Sequence, residues 1–178
     1  MGGVRRRAAF LDRDGTLNVR PPEHEYVASA EEFVWLPGAI QGVRRLADSG
    51  YLLLVVSNQR GVARGVLSPA VLEEIERRMQ RDLAAQGCRI AAFRYCPHEE
   101  DARCQCRKPR PGMLLELARE LDLDLAESWM IGDSESDVLA GQAAGCRSAL
   151  IADRRPASRA DLIASSLLQV SERIAPRA

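Results

Sequence analysis

Asp12-Arg13-Asp14-Gly15-Thr16 sets two carboxylates two residues apart, directly after the apolar run Ala8 to Leu11. In an extended chain residues i and i+2 point the same way, so both acids aim at one spot where a strand gives way to a loop. Gly15 permits the sharp turn that follows. Such a pair can hold a hard cation and attack a phosphorus atom. Taken alone it equally fits a strand end with solvated charges. Three further polar clusters decide the matter: Ser57-Asn58-Gln59, Arg107-Lys108-Pro109 and Gly132-Asp133. Each falls at a strand end or a helix start. Together they supply what phosphoryl transfer needs, namely a nucleophile, charge neutralisation and a proton donor.

A second constellation is Cys96-Pro97-His98 followed by Cys104-Gln105-Cys106. Three thiolates and one imidazole within eleven residues suit a closed tetrahedral Zn²⁺ site. With all four positions filled, the metal is expected to be structural, bracing the loop over 96–106 and delivering Arg107 and Lys108. The chain has five cysteines, an odd number, which fits a metal site better than a disulfide framework. Cys88 and Cys146 lie outside this loop and read as small buried apolar residues.

These residues need strands and helices to position them, and the two alternate along the chain. Tyr51 to Val56 is nearly all apolar, as expected of a strand covered on both faces. Ile90 to Tyr95, Ser128 to Ile131 and Ser148 to Ile151 read as further strands. Pro37-Gly38 opens a helix carrying Ile40, Val43, Leu46 and Ala47. Ser68-Pro69 is an N-cap followed by proline at N1, and its helix buries Val71, Leu72, Ile75, Met79 and Leu83. Pro111 starts a helix with Met113, Leu114, Leu117, Ala118 and Leu121 on its inner face. Another runs through Val138, Leu139 and Ala143, and the tail reads as a last helix. Alternation of this kind predicts right-handed βαβ units: a doubly wound parallel sheet, three layers in all, with ligands bound beyond the carboxyl ends of the strands. The polar stretch from Arg20 to Trp35, with Pro21-Pro22, reads as a loop at the mouth of the site.

The order of the four clusters resembles the haloacid dehalogenase (HAD) superfamily of phosphohydrolases. Asp12 to Leu17 is similar to its DxDGT[LI] signature, Ser57 to its strand-ending Ser/Thr, Lys108 to its lysine before a helix, and Gly132-Asp133 with Asp137 to its GDxxxD. The resemblance implies an α/β, Rossmann-like, capless HAD domain over residues 1–178. It implies that Asp12 attacks phosphorus, that Asp14 protonates the leaving group and then activates water, and that Ser57 and Lys108 hold the phosphoryl oxygens. A catalytic Mg²⁺ would be bound by the Asp12 and Asp133 carboxylates and the Asp14 backbone carbonyl. Asp137 would support the metal or act as an acid in the first helical turn, favoured by the helix dipole.

Within the superfamily, Cys106 to Met113 (CRKPRPGM) and Ser57 to Gly65 (SNQRGVARG) resemble the D-glycero-D-manno-heptose 1,7-bisphosphate 7-phosphatases. DRDGTLN at Asp12 to Asn18 and Tyr26-Val27 fit as well. This resemblance implies substrate contacts from Arg13, Asn18, Tyr26, Asn58, Gln59, Arg60, Arg107 and Ser134, and from Arg64, which otherwise reads as a loop-surface charge. It implies a small phosphorylated sugar as substrate. Histidinol-phosphate phosphatases share the zinc loop and the first motif but typically lack the ARG and PGM elements. Two departures stand beside the expected substrate: Arg60 replaces a usual serine, and Ser134 stands where some members carry lysine.

The bulk numbers bound the rest. Lys+Arg and Asp+Glu are 25 each, so no global basic field exists for nucleic acid, and 4% aromatic content leaves no stacking platform. A zinc-stabilised binding module without catalysis would not be expected to keep every charged catalytic position. No apolar stretch is long enough to span a bilayer, Asp12 comes too early to leave room for a signal peptide, and Arg6 breaks the acylation pattern begun by Met1-Gly2. A cytoplasmic monomer without nucleic-acid or membrane partners is the expectation.

Overall fold

The computed structural model describes residues 5–154 and 156–176; Met1 and Gly2 lie outside the described residues. Six strands form one parallel sheet in the order β3-β2-β1-β4-β5-β6. They are β1 (Ala8–Leu11), β2 (Leu52–Asn58), β3 (Ala92–Cys96), β4 (Trp129–Gly132), β5 (Arg147–Ile151) and β6 (Leu162–Ala164). The helices are α1 (Ala39–Asp48), α2 (Pro69–Ala84), α3 (Gly112–Leu121), α4 (Glu135–Ala144) and α5 (Leu167–Ile174). The expected doubly wound architecture is present, with β6 as an addition that the sequence reading did not include.

Period-two alternation splits β1 between two cores. Ala9 and Leu11 pack with Leu53 and Val55 of β2 against Val43 and Leu46 of α1, Ile75 and Met79 of α2, and Leu167 and Val170 of α5. Ala8 and Phe10 pack with Leu54 and Val56 against Leu114 and Leu117 of α3 and Ala140 and Ala144 of α4. Both faces of the central strands are therefore dry, which is why β2 reads as an unbroken apolar run. Burying each of these large side chains contributes about 1.5–3 kcal/mol, and all four residues of β1 are fully buried. Cys88 and Cys146 are buried, in the small apolar role expected of them.

The strand order places β1 between β2 and β4, with Leu11 registered to Val55 on one side and Ile131 on the other. The chain leaves β1 in one direction across the sheet and returns on its other side from β4 onward. That reversal opens a crevice at the carboxyl ends of β1, β2 and β4, the place where such sheets bind ligands. Local sequence helps to set the edges of the crevice. Ser68 Oγ accepts from the Val71 backbone N–H at 3.2 Å, capping α2 ahead of Pro69. The Asp137 carboxylate accepts from the Ser134 N–H (3.1 Å) and hydroxyl (2.6 Å), tightening the first turn of α4. Among the described residues no helix is long and apolar enough to cross a membrane.

Candidate active site

The crevice is a cavity of about 550 Å³ lined by Asp12, Asp14, Ser57, Asn58, Gln59, Arg60, Arg107, Lys108, Ser134 and Asp137, with the loop from Arg20 to Tyr26 as one wall. The loop at the mouth thus stands where the sequence put it. Asp12 is the first residue after β1, and its N–H donates to the Ile131 carbonyl at 2.9 Å, which locks it to β4. Two glycines make room beside it. Gly15 adopts φ +94°, and a Cβ there would come within 1.8 Å of Asp133 Oδ2. A Cβ on Gly132 would come within 2.2 Å of the Asp137 carboxylate. Both positions exclude a side chain because a functional carboxylate occupies the space.

Lys108 is the hub. Its side chain is buried, and its ammonium donates to Asp12 Oδ1 at 2.7 Å and to the Val56 carbonyl at 2.8 Å. It also lies 2.6 Å from Asp137 Oδ1. Two hydrogen bonds and one further ion pair thus surround the ammonium. Asn58 fixes the backbone that carries it: Asn58 Nδ2 donates to the Lys108 carbonyl and the Lys108 N–H donates to Asn58 Oδ1, each at 3.0 Å. Asp137, read in the sequence as a metal support or a helix-turn acid, is thus also the second counterion of Lys108.

The charges explain one another. Burial pushes the Asp12 carboxyl up, to about 7, with Lys108 pulling against it and Asp137 and Asp133 adding to the rise. Burial works to lower the Lys108 ammonium, but Asp12 and Asp137 outweigh it and hold it above the ordinary lysine value. Burial likewise raises Asp133, against the pull of the Arg20 guanidinium, whose Nη2 donates to Asp133 Oδ1 at 2.6 Å. The carboxylates of Asp12, Asp133 and Asp137 each offer an oxygen within 4.8 Å of the others. Three crowded carboxylates, two of them raised by burial and mutual repulsion, fit a hard dication bound by oxygen ligands. Asp12 and Asp133 are the pair expected to hold Mg²⁺.

Asp14 is held differently. Its Oδ1 accepts from Arg13 Nε (3.1 Å) and Asn18 Nδ2 (2.9 Å), and its Oδ2 from Arg13 Nη2 (3.0 Å) and Gln59 Nε2 (2.8 Å). Gln59 also bonds Ser57 Oγ at 3.1 Å, so the strand-end serine and the second acid belong to one network. Three of the expected ligand contacts stand outside the cavity lining. Arg13 and Asn18 are fully buried behind Asp14 and do not line the cavity. Arg13 Nε and Nη2 and Asn18 Nδ2 donate to Asp14, and Arg13 Nη2 also reaches Gln59 Oε1 at 3.3 Å. Arg64 is likewise absent from the lining and pairs with Glu99 of the zinc loop.

The four ligand candidates for zinc converge. Cys96 Sγ stands 3.5 Å from His98 Nδ1, 3.7 Å from Cys104 Sγ and 3.3 Å from Cys106 Sγ, and His98 Nδ1 stands 3.3 Å from Cys106 Sγ. A tetrahedral site with Zn–S near 2.3 Å separates its ligand atoms by about 3.4–3.8 Å, so the donor set fits. All five cysteines are free of disulfides. Burial pushes the Cys106 thiol up to about 12 and raises that of Cys96 as well, so metal binding must displace protons. The loop is tied to the β2 side by Gln59 N–H to the Cys96 carbonyl (2.7 Å) and Ala63 N–H to the Pro97 carbonyl (3.2 Å). It ends on Arg107 and Lys108.

A carboxylate beyond the central strand, a buried lysine upon it and an acidic cluster from the next strand, on this sheet, define a phosphatase of the HAD class. The HAD-hydrolase-like family matches residues 105–169. The D-glycero-beta-D-manno-heptose-1,7-bisphosphate 7-phosphatase of Pasteurella multocida is 39% identical over 152 residues, covering 82% of this chain and 81% of its own. That of Rhodopseudomonas palustris is 43% identical over 148 residues, covering 79% and 81%. The crystal structure of the D,D-heptose 1,7-bisphosphate phosphatase of B. bronchiseptica, complexed with magnesium and phosphate, superposes with a TM-score of 0.84 at 34% identity, covering 94% of this chain and 97% of that one. The chain belongs to the heptose 1,7-bisphosphate 7-phosphatase family.

Proposed function

We propose that this chain is a Mg²⁺-dependent phosphatase that removes the C7 phosphate of D-glycero-β-D-manno-heptose 1,7-bisphosphate and leaves the 1-phosphate. The observation that carries the reading is the buried Lys108 ammonium resting on Asp12 at the head of the central strand. The relatives' names supply the sugar and the anomer. Residues 1–178 act as one catalytic domain.

Asp12 is the nucleophile. Its carboxylate oxygen bonds to phosphorus as the bond from phosphorus to the C7 oxygen breaks, giving an aspartyl phosphate. Asp14 gives its proton to the departing C7 oxygen, then takes one from the water that cleaves the intermediate. The donors from Arg13, Asn18 and Gln59 keep its carboxylate in one orientation for both steps. Lys108 and the Ser57 hydroxyl hold the phosphoryl oxygens, and Lys108 offsets the repulsion between Asp12 and the incoming dianion. Asp12, Asp133 and the backbone of Asp14 would hold Mg²⁺, which would neutralise charge on the phosphoryl group. Cys96, His98, Cys104 and Cys106 would hold Zn²⁺ and so keep the Arg107-Lys108 segment in place. Tyr26, Asn58, Arg60, Arg107 and Ser134, all on the cavity wall, take the sugar and its second phosphate.

Phosphate release from both heptose 1,7-bisphosphate anomers and from histidinol phosphate, with Mg²⁺, tests this. The β-bisphosphate is expected to give the largest kcat/KM. A larger value for histidinol phosphate overturns the substrate, and full turnover by Asp12→Asn overturns the mechanism.

A further inference from the structure

Arg60 shares the cavity wall with the other residues assigned to the sugar and its second phosphate, and Glu100, which pairs with it, has no part in the mechanism above. Glu100 Oε1 accepts from Arg60 Nη1 at 2.9 Å and from Arg107 Nη2 at 3.2 Å. One carboxylate oxygen thus gathers two guanidinium groups that start from different walls, Arg60 on the loop after β2 and Arg107 at the end of the zinc loop. Both arginines line the cavity, whereas Glu100 stands outside its lining. The side chains of Arg60 and Arg107 are 23% and 15% exposed against 68% for Glu100, so the cations are shielded and their counterion is wet. Arg60 spends only Nη1 on Glu100, and its other guanidinium nitrogens have no protein partner among the described residues. Arg107 is braced from behind, its Nη1 donating to the carbonyl of His98 at 3.3 Å. Two forked cations held side by side repel each other unless an anion lies between them. A single wet carboxylate meets only part of that demand, and a phosphate dianion accepts from both forks at once.

We propose that Arg60 joins Arg107 as a two-guanidinium clamp for the phosphate that is not cleaved, and that Glu100 is the positioning residue that holds the pair together. The proposal rests on the bisphosphatase reading above. A serine at position 60 cannot supply a second fork, so Arg60 gives this chain a stronger demand for a second anionic group than Arg107 alone would. The clamp is assembled on the zinc loop, since Glu100 and the His98 carbonyl both belong to it. The zinc site therefore supports substrate selection as well as Lys108.

The test compares full-length wild type with Arg60→Ser, Arg60→Lys and Glu100→Gln, all zinc-loaded, on heptose 1,7-bisphosphate and on heptose 7-phosphate. Arg60→Ser is expected to raise KM for the bisphosphate roughly tenfold or more, with a change at least about five times smaller on the 7-phosphate. Arg60→Lys should recover part of the loss, because it restores the charge without the fork. Glu100→Gln should raise KM for the bisphosphate by about two- to fivefold, in the same substrate-selective way. Activity on the 7-phosphate also reports that each variant is folded. Equal losses on both substrates, or no loss on either, overturn the clamp. If the wild type hydrolyses the bisphosphate and Arg60→Ser matches it, the clamp alone falls. If the wild type hydrolyses no heptose bisphosphate, the functional reading falls and takes the clamp with it.

Discussion

The zinc loop after β3 and the carboxylate centre after β1 and β4, with β2 between them in the sheet, gather charged ligands in opposite ways. At Cys96, His98, Cys104 and Cys106 the donors number four, are mostly soft, and close on one another at 3.3–3.7 Å. A metal there finds a full tetrahedron and no position for substrate. At Asp12, Asp133 and Asp137 the donors are hard and crowded, and two carboxyls are pushed up by burial. A metal there meets surplus negative charge beside an open cavity. In the proposed mechanism a metal at the first site would fix a backbone, and a metal at the second would handle charge during reaction. Lys108 joins them, because its backbone follows the zinc loop while its ammonium rests on Asp12.

The largest expected effect breaks the carboxylate centre. Asp12→Asn should lower kcat by at least about a thousandfold, since it removes the nucleophile while keeping the shape. Phosphate release under saturating Mg²⁺ measures this. Lys108→Ala is next, with a loss of about 10²–10³-fold in kcat/KM, together with destabilisation by about 3–5 kcal/mol because Asp12 and Asp137 are left buried without a cation. Activity assays and urea melts read the two parts.

Stability sharpens the contrast further. Asp12 has its folded-state pKa raised from 3.8 to about 7, so its contribution to stability is full below 3.8 and is lost as pH rises through about 7. Asparagine mimics the protonated acid. Asp12→Asn should therefore stabilise the metal-free protein relative to wild type, by about 1–3 kcal/mol at pH 8, with the gap closing as the pH falls towards 4. Chemical denaturation in chelator across that range checks it, and a gap that widens on acidification contradicts it. At the zinc loop the sign reverses, because Cys104→Ser removes a ligand from a site that has no surplus. A fall in Tm of about 5–10 °C is expected in zinc-loaded samples.

Much of this division was legible in the sequence, and the reasons differ by region. β2 announced itself because both its faces are dry, leaving no polar residue from Leu52 to Val56. The zinc ligands were legible because they are close in the chain and their chemistry is distinctive. β6 was not, since three residues, Leu162–Ala164, carry too little pattern to separate from a loop. The pairing of Asp137 with Lys108 spans three elements, and no local spacing encodes it. Arg13 shows a limit of local pattern: alternation starts its side chain on the opposite side from Asp12 and Asp14, yet its buried guanidinium bonds the Asp14 carboxylate. The signature drew attention to the residue but did not tell its direction.

The central claim is that the zinc loop holds Lys108 on Asp12, and zinc occupancy measured against kcat tests it most directly. Protein is prepared with graded zinc content, Mg²⁺ affinity is followed separately by calorimetry, and turnover on heptose 1,7-bisphosphate is recorded for each sample. The account predicts that kcat falls in proportion to zinc lost and returns when zinc is restored, while Mg²⁺ affinity stays nearly constant. Zinc-free protein that remains folded and turns over at the full rate would contradict it.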